Sequence, residues 1–302
     1  MGAGHDHGAL SMGYAHRSRL WIALGLTTTV MVVQIVGGIA TNSLSLISDA
    51  GHMGTDALGL GMALAAILAV ANSARHPRRT FGLHRLEVLA ALANTLLLLG
   101  VSTWVVYEAV TNISDPPEVK SIPMLIVAVV GLVANGISLL LLRSGAQHSI
   151  NLRGAYLEVL GDMLGSVGVI TAAVIIATTG WWYADPIVAI AIGAFMVPRA
   201  MKLGRDAMRI LLQNAPQDLD MTAVDKSLRK TSGVSDVHDL HAWTLTSGMD
   251  VVSAHLTVDS DTHVSDVLTR SQDMLRNEYG ITHATLQVEP HDAKRHCESL
   301  NW

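Results

Sequence analysis

Apolar runs separated by short polar turns dominate the first two thirds of the chain, at roughly 20–40, 44–70, 86–110, 122–142, 155–179 and 187–203. Most reach the ~20 residues that a helix needs to cross hydrocarbon, and the last does so if it extends. Breakers fall in the gaps: Thr41-Asn42-Ser43, His76-Pro77, Asp115-Pro116-Pro117 and Asp185-Pro186. After Asn214 the pattern becomes that of a small soluble domain, with a helix predicted over 218–231, strands over 237–246 and 250–258, a helix over 263–279 and a strand over 284–289. In the second strand Val252, Ala254, Leu256 and Val258 alternate with Ser253, His255 and Thr257. In the third, Ala284, Leu286 and Val288 alternate with Thr285, Gln287 and Glu289. That period of two predicts one buried and one wet face.

The expected architecture is therefore an α-helical membrane protein with six transmembrane helices plus a small α+β domain. The αββαβ order suits a ferredoxin-like sheet with both helices on one side. Residues 1–18 are expected to form a flexible His-containing tail, 19–212 the helical bundle, and 213–302 a cytoplasmic domain for metal sensing and dimerisation. A domain of that size gains from pairing with a second copy, which points to a homodimer.

Composition agrees with a membrane class: 50% of the 302 residues are hydrophobic and 15% charged, with a mean hydropathy of +0.39. Lys and Arg sort to one side of the runs: Arg17 and Arg19; Arg75, Arg78, Arg79 and Arg85; Arg143 and Arg153; Arg199, Lys202, Arg205 and Arg209. The other side has Lys120, so the positive-inside rule predicts that both termini are cytoplasmic. Trp181, Trp182 and Tyr183 fall in an outer loop, where an aromatic belt is expected. Residues 1–15 lack the basic start and apolar centre of a cleavable signal, so the first helix is expected to insert and stay. The soluble domain is acidic and has no basic patch with aromatics, which argues against nucleic acid as a partner.

The chemistry lies inside two apolar runs. Cys297 is the one cysteine, so an internal disulfide and a Cys-rich metal site are excluded, and His and carboxylates must carry any metal chemistry. His52 and Asp56 in one run, and Glu158 and Asp162 in another, each have the i, i+4 spacing that stacks two side chains on one helix face. An ionised Asp near the bilayer centre costs roughly 2.5–3.5 kcal/mol even on insertion scales, so these groups need compensation. Two readings stand at this point: the four ligate a tetrahedral Zn2+, or they pair with each other as protonated acids or with a buried His. By run midpoints the two pairs lie at different depths, and sliding each helix by about a turn could level them. Gly51, Gly54, Gly59, Gly61, Gly161, Gly165 and Gly168 flank the pairs and permit close approach. Asp49, one turn before His52, is a candidate to orient its ring.

Several separated motifs occur in order: DAGHMGTD, TFGLHRLEVLAALAN, LEVLGDMLGSVG, HDLHAWTLTSG and TLQVEP. Together they resemble the cation diffusion facilitator family over nearly the whole chain, and its zinc-transporting branch most. The resemblance implies a homodimeric proton antiporter that moves a divalent cation out of the cytoplasm through His52, Asp56, Glu158 and Asp162. Zn2+ comes first as cargo, with Cd2+, Mn2+, Fe2+ or Co2+ as alternatives. The chain departs from the branch at Glu158, where His is usual. An added carboxylate makes the empty site more anionic and tilts it toward harder ions. Proton exchange fits ligands that must deprotonate to bind metal.

Further ligand candidates lie outside the membrane runs. His238, His241, His255 and Glu289 could form a regulatory metal site, or could be surface or packed residues. His76 and His84 in the cytoplasmic loop, the tail residues His5, Asp6, His7 and His16, the lone His148 and the adjacent His296 and Cys297 are weaker. The expected location is the bacterial inner (plasma) membrane, with metal ions, protons and lipid as partners and no organic cofactor. Other classes remain open here: an intramembrane metalloenzyme, which lacks His-Glu-x-x-His and an open coordination position, or a metal sensor that signals through the soluble domain.

Overall fold

The computed structural model describes residues 8–73, 79–146, 150–246, 248–259 and 263–290. His5, Asp6, His7, His76, His148, His296, Cys297 and the side chain of His16 lie outside the described residues. The described chain groups into two compact units. One holds the residues up to Leu64 and Ala91–Gly204; the other holds Ala65–Ala90 and the residues from Arg205 onward.

Long helices make the first unit: α1 (Gly8–Thr41), α4 (Ser121–Ala146) and α5 (Ile150–Thr179) whole, and the greater part of α2 (Leu44–Ser73), α3 (Arg85–Thr111) and α6 (Ala184–Leu211). α1 begins within the segment expected to be a tail, because Ala9, Leu10, Met12 and Ala15 are good helix formers that continue its register. Among the described residues, four spans are long and apolar enough to cross a membrane: Arg85–Thr111, Ser121–Arg143, Glu158–Thr179 and Ala184–Leu211. Leu96, Ile126, Leu140 and Phe195 point outward and are exposed, as suits a surface that meets hydrocarbon.

Inside the unit, α4 and α5 run antiparallel along their length. Leu142 packs with Val159 at one end, and Met124 and Ala128 pack with Val169, Ala172, Ala173 and Ile176 toward the other. α1 closes on α4 through small residues: a Cβ on Gly37 would stand 2.9 Å from Val127 Cγ2, and one on Gly131 3.0 Å from Gln34 Nε2. Asn42, in the left-handed region at φ 57°, turns the chain between α1 and α2. Asp185, at the start of α6, then clamps the start of α2. Its carboxylate accepts from Ser43 Oγ (2.7 Å), the Leu44 amide (2.6 Å) and Ser45 Oγ (2.6 Å), which satisfies orphan donors of the first turn.

In the second unit, α7 (Met221–Lys230), β1 (Val234–Thr246), β2 (Met249–Val258), α8 (Val264–Tyr279) and β3 (His283–Pro290) follow the predicted order. The sheet order is β1-β2-β3, with β1 and β2 antiparallel and β2 and β3 parallel. Val252, Ala254, Leu256 and Val258 are buried against Val224 and Leu228 of α7 and Val267 and Leu275 of α8. Asp220 caps α7 by accepting from the Thr222 and Ala223 amides, and Gly280 ends α8 at φ 71°.

The other face of the sheet is less wet than the alternation predicts. Thr257 is 1% exposed and Glu289 6%. For Glu289 the cover is supplied by neighbouring polar side chains: Gln287 Nε2 donates to Glu289 Oε1 at 2.6 Å, and His238 and His255 stand against its two oxygens. The loop before α3 belongs to this unit as well. Thr246 donates to the Glu87 carboxylate, and Phe81 meets His283 edge to face. With His84, Leu245, Met249 and Val251 these rings line a cavity of about 300 Å³.

Candidate metal centre

α2 and α5 bring His52, Asp56 and Asp162 together, with one ligand atom of each within 4.8 Å of the others. His52 Nε2 lies 3.8 Å from Asp56 Oδ2 and 3.7 Å from Asp162 Oδ1. The packing thus brings the two helices' residues to a common level at His52 and Asp162. At these separations the groups do not hydrogen-bond each other. His52 Nδ1, Asp56 Oδ2 and Asp162 Oδ1 are buried without a hydrogen-bond partner among the described residues. Buried polar atoms left in that state are costly. Donors that share one ion at about 2.0–2.2 Å stand ~3.3–3.6 Å apart in a tetrahedron, close to the spacing found. The donor set fits a divalent cation.

Glu158 is not in this group. Arg199 Nη2 of α6 donates to Glu158 Oε1 at 3.1 Å, and Arg199 Nη1 lies 4.0 Å from Asp56 Oδ2. Arg199, which the positive-inside pattern uses for orientation alone, is thus also a partner of two candidate ligands. The signal was available: an Arg behind a Pro inside an apolar helix is expensive in lipid and needs an anionic partner.

Asp49 does not serve His52, contrary to expectation. Its Oδ2 accepts from Gln34 Nε2 of α1 at 2.7 Å and from Ser166 Oγ of α5 at 3.3 Å. Asp49 sits opposite the α1–α5 seam, so its carboxylate ties three helices together. Gly165 makes room for it: a Cβ there would stand 2.2 Å from Asp49 Oδ1. Gly59 likewise admits Asn94 of α3, at 2.6 Å from its ideal Cβ, whereas Gly61 and Gly161 face nothing within 4 Å.

A second group lies on the polar face of the sheet. His238 and His255 are cross-strand partners, and with Glu289 of β3 they place ligand atoms within 4.8 Å of one another. Glu289 Oε1 lies 3.0 Å from His255 Nδ1, and Oε2 lies 3.6 Å from His238 Nε2. Neither ring nitrogen of His238 has a hydrogen-bond partner among the described residues. His241 stands apart and pairs with Asp239 at 3.0 Å; the other oxygen of Asp239 is 3.8 Å from His255 Nε2. The hydrogen bond to His241, helped by the nearby His255 and His238, holds the Asp239 carboxyl below its ordinary value. A bulge between His238 and His241, with Asp239 at φ 51°, turns this side chain toward the group. Asp239 also escaped the sequence reading, although it lies between the two histidines of HDLH. His84 joins neither group among the described residues.

Residues 20–212 match the family model described as the cation efflux transmembrane domain, and residues 216–291 match that of the cation efflux protein cytoplasmic domain. The chain belongs to the cation efflux family. It is 46% identical to the metal cation efflux system protein CzcD of Cupriavidus metallidurans over 96% of this chain and 90% of that one. It is 37% identical to a cadmium, cobalt and zinc/H(+)-K(+) antiporter of Bacillus subtilis, over 99% and 95% of the two chains. The zinc transporter ZitB of Escherichia coli is 40% identical over 90% and 87%. The cation diffusion facilitator resemblance carried by DAGHMGTD and LEVLGDMLG is thereby upheld. As a cation efflux protein the chain is a transporter and not an enzyme, so the metalloenzyme alternative falls.

Proposed function

We infer that this protein exports divalent metal cations, Zn2+ foremost, across a bacterial plasma membrane in exchange for protons, with His52, Asp56 and Asp162 as the core of the carrier site. The observation that carries the reading is the convergence of these three side chains from two apolar helices, with Asp56 Oδ2 and Asp162 Oδ1 lacking a hydrogen-bond partner among the described residues. Cd2+ and Co2+ are further candidates, as the name of the Bacillus subtilis relative suggests, and Mn2+ and Fe2+ follow from the oxygen-rich donor set. Glu158 is the fourth ligand by position, one turn from Asp162 on the same face of α5.

All of α1 to α6 cross the membrane in this reading, with both termini cytoplasmic, and alternating access delivers the site to either side. Proton exchange follows from the donors: His and carboxylates bind M2+ deprotonated and take up protons when it leaves. The αββαβ unit is a ferredoxin-like cytoplasmic domain that pairs two copies into a homodimer. His238, His255 and Glu289 are its regulatory metal ligands, with His241 acting through Asp239.

Full-length protein in proteoliposomes, assayed for Zn2+, Cd2+ and Mn2+ flux with and without an imposed pH gradient, tests this. The expected result is Zn2+ uptake driven by the gradient and abolished by Asp162→Asn. Flux indifferent to the gradient would remove the antiport; absence of flux for every ion would remove transport.

A further inference from the structure

We propose that Arg199 is a tethered cation that gates the metal site, holding Glu158 away from the other ligands until the incoming ion takes the guanidinium's place. The inference rests on the transport reading above and adds a residue to it. α2 and α5 pass each other in opposite directions, so the four acidic and imidazole groups form two layers. The inner layer is His52 with Asp162, whose side chains are 6% and 5% exposed. The outer layer is Asp56, 17% exposed, with Glu158 at 47%, and Arg199 at 45% lies over both. Exposure therefore rises from the inner layer to Arg199.

At the outer layer the guanidinium engages both carboxylates, Glu158 at 3.1 Å and Asp56 at 4.0 Å. An ion arriving there meets a positive charge before it meets a ligand. With its Oε1 accepting from Arg199, Glu158 lies outside the group of His52, Asp56 and Asp162. Occupation by M2+ supplies Glu158 with a stronger partner, and two like charges cannot share the carboxylates at this range, so Arg199 swings clear. On release it returns and neutralises the vacated acids. Arg suits the task because its planar fork stays charged and can address two carboxylates at once. Arg199 is a positioning residue: it sets where Glu158 is and how much negative charge the empty site shows.

The consequence is a trade between capture and release. Without Arg199 the site binds more tightly and empties more slowly. Zn2+ flux in proteoliposomes should give an Arg199→Ala KM roughly three- to tenfold below that of the parent, with turnover reduced, since a partly exposed charge interaction is worth about 1 kcal/mol. Arg199→Lys should restore most of both values. In an Glu158→Gln background, Arg199→Ala should shift KM much less, because the main partner is already gone. Arg199→Gln serves as a second neutral variant if the alanine protein does not fold. An unchanged or raised KM in both neutral variants overturns the proposal, as does an equal shift with and without Glu158. Equilibrium Zn2+ binding to the full chain in nanodiscs, with His238→Ala and His255→Ala silencing the cytoplasmic group, repeats the comparison without turnover. Tighter binding in Arg199→Ala with no flux in any variant would sink transport and keep the gate's hold on the ligands; flux with unaltered affinity would do the reverse.

Discussion

His52 Nε2 of α2 stands 3.7 Å from Asp162 Oδ1 of α5, deep between two apolar helices and too far for a hydrogen bond. An ion held at the proposed carrier site would close that gap. Replacing either residue removes a proposed primary ligand, so His52→Ala and Asp162→Asn should each reduce metal flux to background. Size-exclusion profiles of the purified variants should match the parent, which separates loss of the site from loss of the fold.

Glu158→His exchanges an oxygen donor for nitrogen and removes the partner of Arg199. The expected outcome is a profile shifted toward Zn2+ and away from Mn2+, because imidazole suits the softer ion. Competition of Mn2+ against Zn2+ uptake reads this directly; identical inhibition curves for the two proteins would contradict a ligand role for Glu158.

Gly165→Ala tests the packing that supports the site. The new methyl would lie 2.2 Å from Asp49 Oδ1, against a carboxylate fixed by Gln34 and Ser166. Overpacking of this kind costs about 1–3 kcal/mol, so the melting temperature of the full-length protein should fall. Gly161→Ala, which meets nothing within 4 Å, is the matched control and should melt like the parent.

Asp185→Ala removes the acceptor of the bonds from Ser43, Leu44 and Ser45 at the start of α2. Loss of a cap costs about 0.5–2 kcal/mol, and this one also joins α2 to α6. Thermal unfolding should therefore show a larger drop than Asp115→Ala, a loop acid that carries no such cap.

In the cytoplasmic unit, His255→Ala should abolish metal binding by the sheet group while leaving part of the transport activity. Equal and total loss of flux with Asp56→Ala would argue against a regulatory role. The Asp239 carboxyl is held below its ordinary value by the bond to His241, so the folded state gains from its ionised form. That gain is complete above about pH 4, the unfolded carboxyl's range, and is lost as pH falls through the lower folded value. Asp239→Asn should flatten the acid limb of stability against pH, by a small amount because the side chain is half-exposed.

Much of the plan was written in local pattern. The long apolar runs set the helices, the period-two alternation of Val252 to Val258 set the buried face of the strand, and the order of elements after Asn214 emerged as predicted. The i, i+4 spacing of His52 and Asp56 put both on one face because helical geometry is a property of the backbone alone. Proximity across helices is not local, and there tertiary packing decided. The packing of α2 against α5 brought Asp162 to His52, while the placement of α6 gave Glu158 to Arg199 instead. Asp49 went to Gln34 and Ser166 because their helices pass nearest its carboxylate. Glu289 became buried because side chains from three strands close over it, a cover no single strand's alternation encodes. Residue type and spacing determined which groups could ligate a metal; only the packing decided which of them meet.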